Sequence, residues 1–337
     1  MKIGFFGIEG WEEDIIKKYF PKDDIYLSKS IIDENNIPEE TDFEIISIFI
    51  NSKIVEKTLN NFPNLKFITT RSTGFDHIDL EACKKKNIKV SYVPGYGDNT
   101  VAEFTFGLLL SLTRKIYQAI DQIKESESFD LSGLRGIDIK EKIIGVVGTG
   151  RIGKEVIKIA KGFSMNITAY DPYPNEAFQK EIGFKYTSFE NLLKNSDIIT
   201  LHCPHNQNTH HLINKENINL IKKGAYLINT ARGGLIETEA LLRALNSGIL
   251  SGAGLDAIEE EGTIKKDIHF LEEPHKDKEK LKTLLYDHML MKMPNVLMTP
   301  HNAFNSQEAL KRILNTTLEN IKAFKDNTPA NLVPEQK

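Results

Sequence analysis

Two kinds of apolar pattern alternate along the chain: short β-branched runs, and longer segments in which apolar residues recur at helical spacing. The clearest case is an apolar run over 143–147 that stops at Gly148 and is followed over 154–163 by helical spacing. A second apolar run then ends at Asp171. Short β-branched runs of this kind predict strands buried on both faces. The stretch 142–171 therefore predicts a complete strand-helix-strand unit.

The strand pattern recurs on both sides of this unit. The predicted strands are Lys2–Phe6, Phe43–Phe49, Lys66–Thr70 and Lys89–Val93 before it, and Asp197–Leu201, Ala225–Asn229, Gly252–Leu255 and Val296–Met298 after it. Strands that alternate with helices predict parallel sheets. We therefore predict an α/β protein with two Rossmann-like or flavodoxin-like domains, each a doubly wound parallel sheet, and an active-site cleft between them. Residues 1–98 plus 300–337 form one predicted domain, and residues 99–299 form the other.

Two further segments carry helix predictions of their own. Thr100, followed three residues later by Glu103, predicts a capping box at the start of a long helix. Apolar residues lie on more than one side of that helix, which predicts burial between domains or between subunits. The segment 262–294 is rich in charged residues and predicts a surface insertion with a helix. Its one amphipathic pattern comprises Leu281, Leu284, Leu285 and Met289.

The loop 148–153, Gly-Thr-Gly-Arg-Ile-Gly, joins the first strand of the strand-helix-strand unit to its helix. Gly148 allows a tight turn, Gly150 allows the backbone to approach a pyrophosphate, and Gly153 allows the helix to pack closely. The free N–H groups at the helix start suit an anion. Asp171, about 20 residues beyond, suits both hydroxyls of an adenosine ribose and would repel a 2′-phosphate. The loop therefore predicts a site for NAD rather than NADP.

The composition argues against some classes of protein and leaves the predicted fold and NAD site unchanged. The chain has 337 residues, of which 40% are hydrophobic and 27% charged, and its net charge is -4. That balance gives no reason to expect nucleic acid or an anionic membrane as a partner. The two cysteines, Cys83 and Cys203, predict no disulfide framework. No apolar segment has the length of a signal sequence or a membrane span, and we expect a cytoplasmic protein.

Candidate catalytic residues follow the predicted strands of the second domain. Arg232 lies in Thr-Ala-Arg-Gly-Gly, where a guanidinium could bind a substrate carboxylate through two hydrogen bonds; the alternative is a surface salt bridge. His301 lies in Thr-Pro-His-Asn-Ala, where it could donate a proton or cap a turn. A carboxylate behind His301 would favour the charged imidazolium. Glu261 could supply it, and Glu259 and Glu260 compete for that role on sequence alone.

A group of histidines and one cysteine is the candidate for a metal site: His202, Cys203, His205, His210 and His211. Their spacing matches no standard zinc pattern, and adjacent histidines would point apart on a strand. We therefore expect no metal. Cys203 has no evident base partner, so we expect a small buried residue rather than a nucleophile.

Seven segments together resemble the D-isomer-specific 2-hydroxyacid dehydrogenases, which interconvert 2-oxo and D-2-hydroxy acids with NAD. They are RSTGFDHIDL, NTVAEFTFGLLLSLTR, VVGTGRIG, LHCPHNQNTHHLI, LINTARGGLI, GLDAIEEE and TPHNAF. They are spread over nearly the whole chain and are far more specific than the glycine loop alone. The resemblance implies a small 2-oxo or 2-hydroxy acid as substrate and a homodimeric assembly, which the long apolar helix also favours.

The resemblance also implies roles for individual residues. Arg232 is expected to bind the substrate carboxylate, and His301 to transfer the proton. Glu261 is expected to support His301, because the family's glutamate lies five residues after the aspartate that matches Asp256. The implied substrate-binding residues are Thr73, Gly74 and Tyr96. The implied cofactor-binding residues are Thr100, Gly148, Gly150, Arg151, Ile152, Gly153, Asp171, His202, Pro204, Thr209, Thr230, Ala231, Arg232, Asp256 and His301.

Within the family, Tyr96 and the insertion before Pro294 most resemble the D-lactate dehydrogenase branch, which reduces pyruvate. Two departures leave other oxo acids open: the turn 95–98 is Gly-Tyr-Gly-Asp where Ser-Pro is more usual, and Phe104 replaces a frequent histidine. The alternatives are a glyoxylate/hydroxypyruvate reductase, a phosphoglycerate or D-2-hydroxyisocaproate dehydrogenase, and a non-catalytic NAD-sensing scaffold. A phosphorylated substrate would need extra basic residues near the first-domain turns, where only Arg71 is evident.

Overall fold

The computed structural model describes residues 1–259, 261 and 278–334, and the chain divides into two compact units. Unit 1 comprises Met1–Tyr96 and Ser306–Lys337, and unit 2 comprises Gly97–Asn305. Each unit is built on its own parallel sheet. This architecture confirms the predicted α/β class with two parallel sheets and helices between the strands.

Unit 1 has a five-stranded sheet in the order β2-β1-β3-β4-β5. Its elements before residue 97 are β1 (Lys2–Phe6), α1 (Gly10–Tyr19), β2 (Asp24–Ser28), β3 (Ile45–Ile48), α2 (Glu56–Leu59), β4 (Phe67–Thr70), α3 (Leu80–Lys85) and β5 (Lys89–Ser91). All four residues of β3 are buried, as expected of a parallel strand covered on both faces. The sequence pattern did not predict β2, because this edge strand is only partly buried and its apolar run is limited to residues 25–27.

Unit 2 has a seven-stranded sheet in the order β12-β11-β10-β9-β6-β7-β8. Its strands are β6 (Ile143–Val147), β7 (Asn166–Tyr170), β8 (Lys185–Tyr186), β9 (Ile198–Leu201), β10 (Ala225–Asn229), β11 (Leu250–Leu255) and β12 (Val296–Met298). The described helices from residue 97 onwards are α4 (Asp98–Thr113), α5 (Ile116–Ser126), α6 (Arg151–Gly162), α7 (Glu176–Ile182), α8 (Phe189–Asn195), α9 (Thr238–Asn246), α10 (Lys278–Met291) and α11 (Gln307–Lys325), the last of which belongs to unit 1.

The register of the unit 2 sheet places the carboxyl ends of five neighbouring strands level with one another. Their paired final residues are Val147, Leu201, Asn229, Leu255 and Met298. The order of the strands along the chain reverses at β6, which lies between β9 and β7. Open parallel sheets bind ligands beyond the carboxyl ends of their strands, at such a switch point.

The start of α4 differs from the prediction. The helix begins at Asp98, two residues earlier than expected, so Thr100 lies within the first turn instead of at the N-cap. The carboxylate of Glu103 accepts a hydrogen bond from the side chain of Asn99 at 3.0 Å. The predicted capping box between Thr100 and Glu103 is therefore wrong.

The helix α4 is covered from within unit 2. It packs against α6, β10 and β11. A Cβ at Gly254 would lie 3.2 Å from Leu108, and one at Gly252 would lie 3.4 Å from Leu112. Two glycines of β11 therefore make room for the apolar side of α4.

The helix predicted within the insertion is α10, but its buried side is not the predicted one. Leu284 and Leu290 are buried, and the helix packs on α9. Three of the four predicted apolar positions are instead 42%, 60% and 45% exposed: Leu281, Leu285 and Met289. Packing therefore follows a stripe that includes the buried Asp287 rather than the most apolar stripe. The predicted insertion between 262 and 277 lies outside the described residues.

The final helix, α11, contributes to the core of unit 1. Ser306 accepts a hydrogen bond from the N–H of Ala309 at 3.2 Å and caps the helix start. Leu314, Leu318 and Ile321 are buried in the cluster formed with β1 and β4. Across the described ranges of the chain, none of the helices has the length and apolar character needed to span a membrane.

Candidate active site

Most of the polar residues singled out from the sequence follow the five aligned strands of unit 2. β6 leads into the loop 148–153, β9 into His202, β10 into Arg232, β11 into Asp256 and β12 into His301. These strand ends, with the loops that follow them, form what we call the carboxyl edge of unit 2. The edge brings the predicted nucleotide loop and the predicted catalytic residues of unit 2 to one side of its sheet.

Each glycine of the loop occupies a position with a distinct steric demand. Gly148 has a φ of +93°, and a Cβ there would lie 2.7 Å from the carbonyl oxygen of His202. A Cβ at Gly153 would lie 2.0 Å from the carbonyl oxygen of Gly148, so the start of α6 packs directly on the turn. No atom lies within 4 Å of a Cβ built at Gly150, so the backbone there is open to a ligand. Ile152 packs against the apolar core of unit 2.

Charged side chains lie on both sides of the loop. Arg151, the first residue of α6, donates through Nε to Oδ2 of Asp98 at 2.8 Å. Asp171 follows β7, and its Oδ2 accepts hydrogen bonds from the backbone N–H and the hydroxyl of Thr149 at 2.7 and 3.0 Å. Its Oδ1 accepts from the N–H of Tyr173 at 2.8 Å. The carboxylate predicted to bind the ribose is thus fixed next to the loop.

His202 and Cys203 follow β9 in a buried setting. Nε2 of His202 lies 2.8 Å from the hydroxyl of Thr200, and its buried Nδ1 has no hydrogen-bond partner among the described residues. Burial lowers the pKa of His202 to about 3, so the ring is neutral near neutral pH. Burial also raises the pKa of the Cys203 thiol to about 11, which suits a packed residue better than a nucleophile.

Two threonines fix turns of this edge. The hydroxyl of Thr209 donates to the carbonyl oxygen of Pro204 at 2.6 Å. The hydroxyl of Thr230, a buried residue that follows β10, lies 3.0 Å from the hydroxyl of Thr105 on α4. The loop after β10 is thereby joined to α4.

The histidines considered as metal ligands lie in a turn, not on a strand. Nε2 of His205 lies 3.1 Å from Nδ1 of His210, and the rings of His210 and His211 stack with their centroids 3.9 Å apart. The expectation that adjacent histidines point apart is therefore wrong here. Within the described part of the chain, there is no group of three or more His, Cys, Asp or Glu residues that could hold a metal ion.

Arg232 lies in the loop after β10, and the last residue of that strand, Asn229, fixes the loop. The side chain of Asn229 accepts from the N–H of Ala231 at 3.0 Å and donates to the carbonyl oxygen of Arg232 at 2.9 Å. Nη1 of Arg232 donates to the carbonyl oxygen of Ala231 at 2.9 Å. A Cβ at Gly233 would lie 2.0 Å from the carbonyl carbon of Ile258, so the loop touches the chain beyond β11. Arg232 is partly exposed.

Asp256 holds the turn that carries His301. Its buried carboxylate accepts hydrogen bonds from the hydroxyl of Thr299 at 2.5 Å and from the N–H groups of Asn302 and Ala303 at 2.7 and 2.8 Å. Its carbonyl oxygen accepts from the N–H of His301 at 3.0 Å. His301 has a left-handed φ of +55°, a conformation that persists where the surroundings fix it.

The structure brings His301 together with one of the three competing glutamates. Nδ1 of His301 lies 2.9 Å from Oε2 of Glu261, and both side chains are about a quarter exposed, at 25% and 24%. Glu259 instead lies 2.6 Å from Nε2 of His211, and Glu260 is outside the described residues. Because Nδ1 is engaged by the carboxylate, Nε2 is the nitrogen that can exchange a proton with another molecule.

The predicted substrate residues outside unit 2 lie in loops of unit 1. Thr73 and Gly74 follow β4, and the hydroxyl of Thr73 donates to the carbonyl oxygen of Val93 at 2.8 Å. Tyr96 follows β5, and its carbonyl oxygen accepts from Nε of Arg312 at 2.6 Å. Both loops are therefore fixed by contacts within unit 1.

Arg71, the basic residue considered for a phosphorylated substrate, is part of the core of unit 1. It is 2% exposed and donates to the carbonyl oxygens of Phe6 and Gly7. Its Nε lies 3.9 Å from Oε1 of Glu12. Arg71 therefore does not offer its charge to a ligand.

Reasoning from the sequence missed the residues that hold the site rather than line it. The role of Asn229 could have been predicted, because a polar residue at the end of an apolar strand needs hydrogen-bond partners once it is buried. The roles of Thr105 and His211 could not, since their partners Thr230 and Glu259 come from distant parts of the chain.

The carboxyl edge of unit 2 fits a bound dinucleotide. The open backbone at Gly150 and the N-terminus of α6 suit a pyrophosphate. The fixed carboxylate of Asp171 suits a ribose. The unpartnered Nδ1 of His202 is a buried polar atom that a polar group of the ligand would satisfy.

Comparison with known proteins adds independent information. Residues 106–303 match the family described as D-isomer specific 2-hydroxyacid dehydrogenase, NAD binding domain. The chain is 36% identical over 330 residues to a 2-hydroxyacid dehydrogenase homolog of Zymomonas mobilis, covering 95% of this chain and 96% of the relative. It is 38% identical over 289 residues to the aromatic 2-oxoacid reductase of Clostridium sporogenes, covering 84% and 83%. The crystal structure of D-lactate dehydrogenase from Aquifex aeolicus, complexed with NAD and lactic acid, superposes with a TM-score of 0.84 at 35% identity and covers 98% of each chain.

Proposed function

The chain belongs to the NAD-dependent, D-isomer-specific 2-hydroxyacid dehydrogenases, and from this premise we propose that it reduces pyruvate to D-lactate. The observation that carries the proposal is the pair of His301 and Glu261, 2.9 Å apart at the carboxyl edge where Arg232 also lies. A proton donor with a carboxylate behind it, on the same edge as a guanidinium, suits a substrate with both a carbonyl and a carboxylate group.

Each of the three residues has one chemical task in this proposal. Arg232 binds the carboxylate of the oxo acid through two hydrogen bonds and so orients its carbonyl group. When bound, NADH supplies a hydride to the carbonyl carbon. His301 donates the Nε2 proton to the carbonyl oxygen as negative charge develops there, and it takes a proton back in the reverse direction. Glu261 holds the ring of His301 through Nδ1, so that Nε2 is turned to the substrate.

The remaining residues of the carboxyl edge are proposed to hold the cofactor. Gly150 and Arg151 would face the pyrophosphate, and Asp171 the adenosine ribose. The other proposed cofactor-binding residues are Thr100, Gly148, Ile152, Gly153, His202, Pro204, Thr209, Thr230, Ala231, Arg232, Asp256 and His301. The family match over 106–303 lies within unit 2, which supports unit 2 as the NAD-binding domain.

Unit 1 is proposed to be the substrate domain. Thr73 and Gly74 would help to hold the carboxylate, and Tyr96 would contact the rest of the substrate. The burial of Arg71 supports a substrate without a phosphate group, because unit 1 then lacks the basic residue considered for it. Pyruvate is therefore favoured over a phosphorylated oxo acid.

The experiment that tests the proposal is the oxidation of NADH in the presence of a panel of oxo acids. The panel comprises pyruvate, 2-oxobutyrate, a branched oxo acid, phenylpyruvate, glyoxylate, hydroxypyruvate and phosphohydroxypyruvate. We expect pyruvate to be turned over with the highest kcat/KM and the product to be the D isomer. A clear preference for phenylpyruvate or another oxo acid would make that acid the proposed substrate in place of pyruvate. Tight NADH binding without any turnover would favour the NAD-sensing scaffold.

The role of His301 is tested by His301→Ala. General acid catalysis is typically worth about 10²–10⁴-fold, so we expect kcat to fall by about that factor while NADH still binds. Steady-state rates at saturating oxo acid and NADH fluorescence titration measure the two quantities. Near-native turnover in this variant would remove His301 from the mechanism.

We also propose a homodimer, which α5 supports. Four apolar residues of this helix are 44%, 53%, 45% and 45% exposed in the single chain: Ile116, Tyr117, Ile120 and Ile123. Covering such a surface with a second copy would remove it from water. Light scattering should give twice the 38.2 kDa mass of one chain, and Ile120→Glu should give the single mass. A native protein with the mass of one chain would contradict the proposed homodimer.

The cytoplasmic location stays a prediction.

A further inference from the structure

The carboxylate of Glu259 is held by two other segments of unit 2. Oε1 lies 2.6 Å from Nε2 of His211, and Oε2 accepts from the N–H and the hydroxyl of Thr238 at 2.8 and 2.6 Å. The side chain of Glu259 is 16% exposed. Short hydrogen bonds to a partly buried carboxylate are among the stronger ones in proteins. Residue 259 is therefore anchored far more firmly than a surface glutamate.

His211 connects this anchor to the loop that carries Arg232. Its backbone N–H donates to the carbonyl oxygen of Gly234 at 2.8 Å, while its ring contacts Glu259. His211 has a left-handed φ of +50°, a region in which histidine is found more often than most residues with a side chain. One residue thus joins the loop of the proposed carboxylate ligand to the segment that leads to Glu261.

We propose that His211 and Glu259 are positioning residues, which keep the carboxylate of Glu261 at Nδ1 of His301. Glu261 lies two residues beyond Glu259, and two residues of chain span about 7 Å at most. The anchor therefore limits how far the backbone of Glu261 can move. The inference rests on the proposed function, in which that carboxylate supports the proton donor.

The 2.9 Å distance between His301 and Glu261 then depends on two separate anchors. Asp256 fixes the turn of His301, and the pair of His211 and Glu259 fixes the approach of Glu261. Misplacing a catalytic group by about 1 Å can cost about 100-fold in rate. Loss of the second anchor should therefore lower the rate although neither residue touches the substrate.

Titratable groups of unit 2 contact both pairs. At His301 they include Glu261 and Asp256, and the carboxylate of Asp256 is already bonded to the turn; Arg232 lies on the same carboxyl edge. At His211 they include Glu259 and the stacked ring of His210, which in turn contacts His205. A shift in the pH dependence of the reaction is therefore assigned to the pair of His301 and Glu261 by comparison with Glu261→Gln.

The test compares Glu259→Ala and His211→Asn with the native protein and with Glu261→Gln. Asparagine tolerates a left-handed backbone, so His211→Asn removes the ring without adding strain. Glu259→Gln keeps an acceptor for Thr238 and should retain most of the activity. His210→Asn is the matched control, because it removes a neighbouring imidazole that does not contact Glu259.

We expect kcat for oxo-acid reduction to fall about 10- to 100-fold in Glu259→Ala and His211→Asn. NADH affinity should stay within about twofold, because the proposed cofactor ligands are untouched. The pH limit of reduction should change in the same direction as in Glu261→Gln, because both changes remove the carboxylate from Nδ1 of His301. His210→Asn should keep the native profile.

The outcomes separate the possible roles. A lower kcat with an unmoved pH limit would mean that the pair only stabilises the fold, and native kinetics would mean that it has no role; either result overturns the inference. If Glu259→Ala fails to fold, His211→Asn decides the question by the same readout. No turnover of any oxo acid by the native protein would overturn the proposed function and the inference together, whereas a shift confined to Glu261→Gln overturns the inference alone.

Discussion

Two arginines follow buried parallel strands, and one of them is enclosed while the other is partly exposed. Arg71 follows β4 in unit 1, is 2% exposed and donates to the carbonyl oxygens of Phe6 and Gly7. Arg232 follows β10 in unit 2, stays partly exposed and donates to the carbonyl oxygen of Ala231. Residue type and a position at a strand end therefore do not by themselves predict an anion site. The burial of the guanidinium has to be known as well.

The two arginines differ in electrostatics as well. Burial lowers the pKa of Arg71, and the nearby carboxylates of Glu12 and Glu9 oppose that shift. A buried cation of this kind needs its partners in order to be tolerated at all. Arg71 thus contributes to the stability of unit 1, whereas Arg232 is the residue proposed to bind the substrate.

The largest effect that would sharpen this contrast is expected from Arg71→Met. Removing one member of a buried ion pair typically costs about 3–5 kcal/mol, because the other charge stays buried. We expect the free energy of unfolding in urea to fall by about that amount, with unchanged KM for the oxo acid in the folded fraction. Arg243→Met is the control, since its guanidinium pairs with Glu239 but its side chain is 71% exposed, and it should change stability by less than about 1 kcal/mol.

A normally stable Arg71→Met protein with a raised KM would break the comparison, because Arg71 would then act at a substrate site.

The complementary substitution, Arg232→Lys, should act on binding and not on stability. Lysine keeps the charge but loses the two parallel hydrogen bonds to a carboxylate. We expect KM for the oxo acid to rise about 10- to 100-fold, corresponding to a lost charge-assisted hydrogen bond. Steady-state kinetics test the predicted rise in KM, and the melting temperature tests the predicted lack of change in stability. A native KM, or a large loss of stability, would contradict the assignment.

His202 gives a smaller, pH-dependent effect at the same edge as Arg232. Burial lowers its pKa from 6.5 to about 3, so between these values the unfolded chain binds more protons than the folded one. Stability should therefore fall as the pH is lowered, by about 1 kcal/mol between about pH 7 and pH 5.5 from this residue alone. Urea unfolding across that range should be flatter for His202→Asn. An equal slope in both proteins would mean that the folded ring takes up a proton.

The smallest effect is expected at the thiols. Burial raises the pKa of Cys203 to about 11 and that of Cys83 to about 12, so both are almost fully protonated near neutral pH. Iodoacetamide should leave the native enzyme active, and Cys203→Ser should change kcat by less than about twofold. Rapid inactivation that Cys203→Ser prevents would show a reactive thiolate at the carboxyl edge.

Most of the fold could be predicted from apolar runs, and the exceptions have physical causes. β10, a central strand, and β12, a short edge strand, have the predicted bounds because each contains a continuous apolar run. β2, also an edge strand, was missed because charged and polar residues flank its three apolar residues. The start of α4 was misplaced because the side chain of Glu103 pairs with Asn99 instead of closing a capping box. Local patterns predict burial well, but they do not reveal which polar partner a side chain finds.

The candidate site shows the same limit. The sequence alone left three glutamates for His301, and only the spacing from Asp256 in the family pattern favoured Glu261. The structure pairs that residue with His301 and places Glu259 on His211. The choice rests on contacts between β11, β12 and the turn after β9, which no local spacing encodes. The enclosure of Arg71 by Glu12 is a tertiary contact of the same kind.

The engagement of Asp171 has a consequence for protein engineering. Its carboxylate accepts from Thr149 and Tyr173, and the hydroxyl of Thr149 also lies 2.9 Å from the hydroxyl of Tyr186. A redesign toward NADP that replaced only Asp171, with a residue that lacks an acceptor, would leave the N–H and hydroxyl of Thr149 and the N–H of Tyr173 without their common acceptor. Conversion of cofactor preference would therefore require changing Thr149 along with Asp171, and the change at Thr149 would in turn alter its contact with the hydroxyl of Tyr186, so that this turn has to be redesigned as one module.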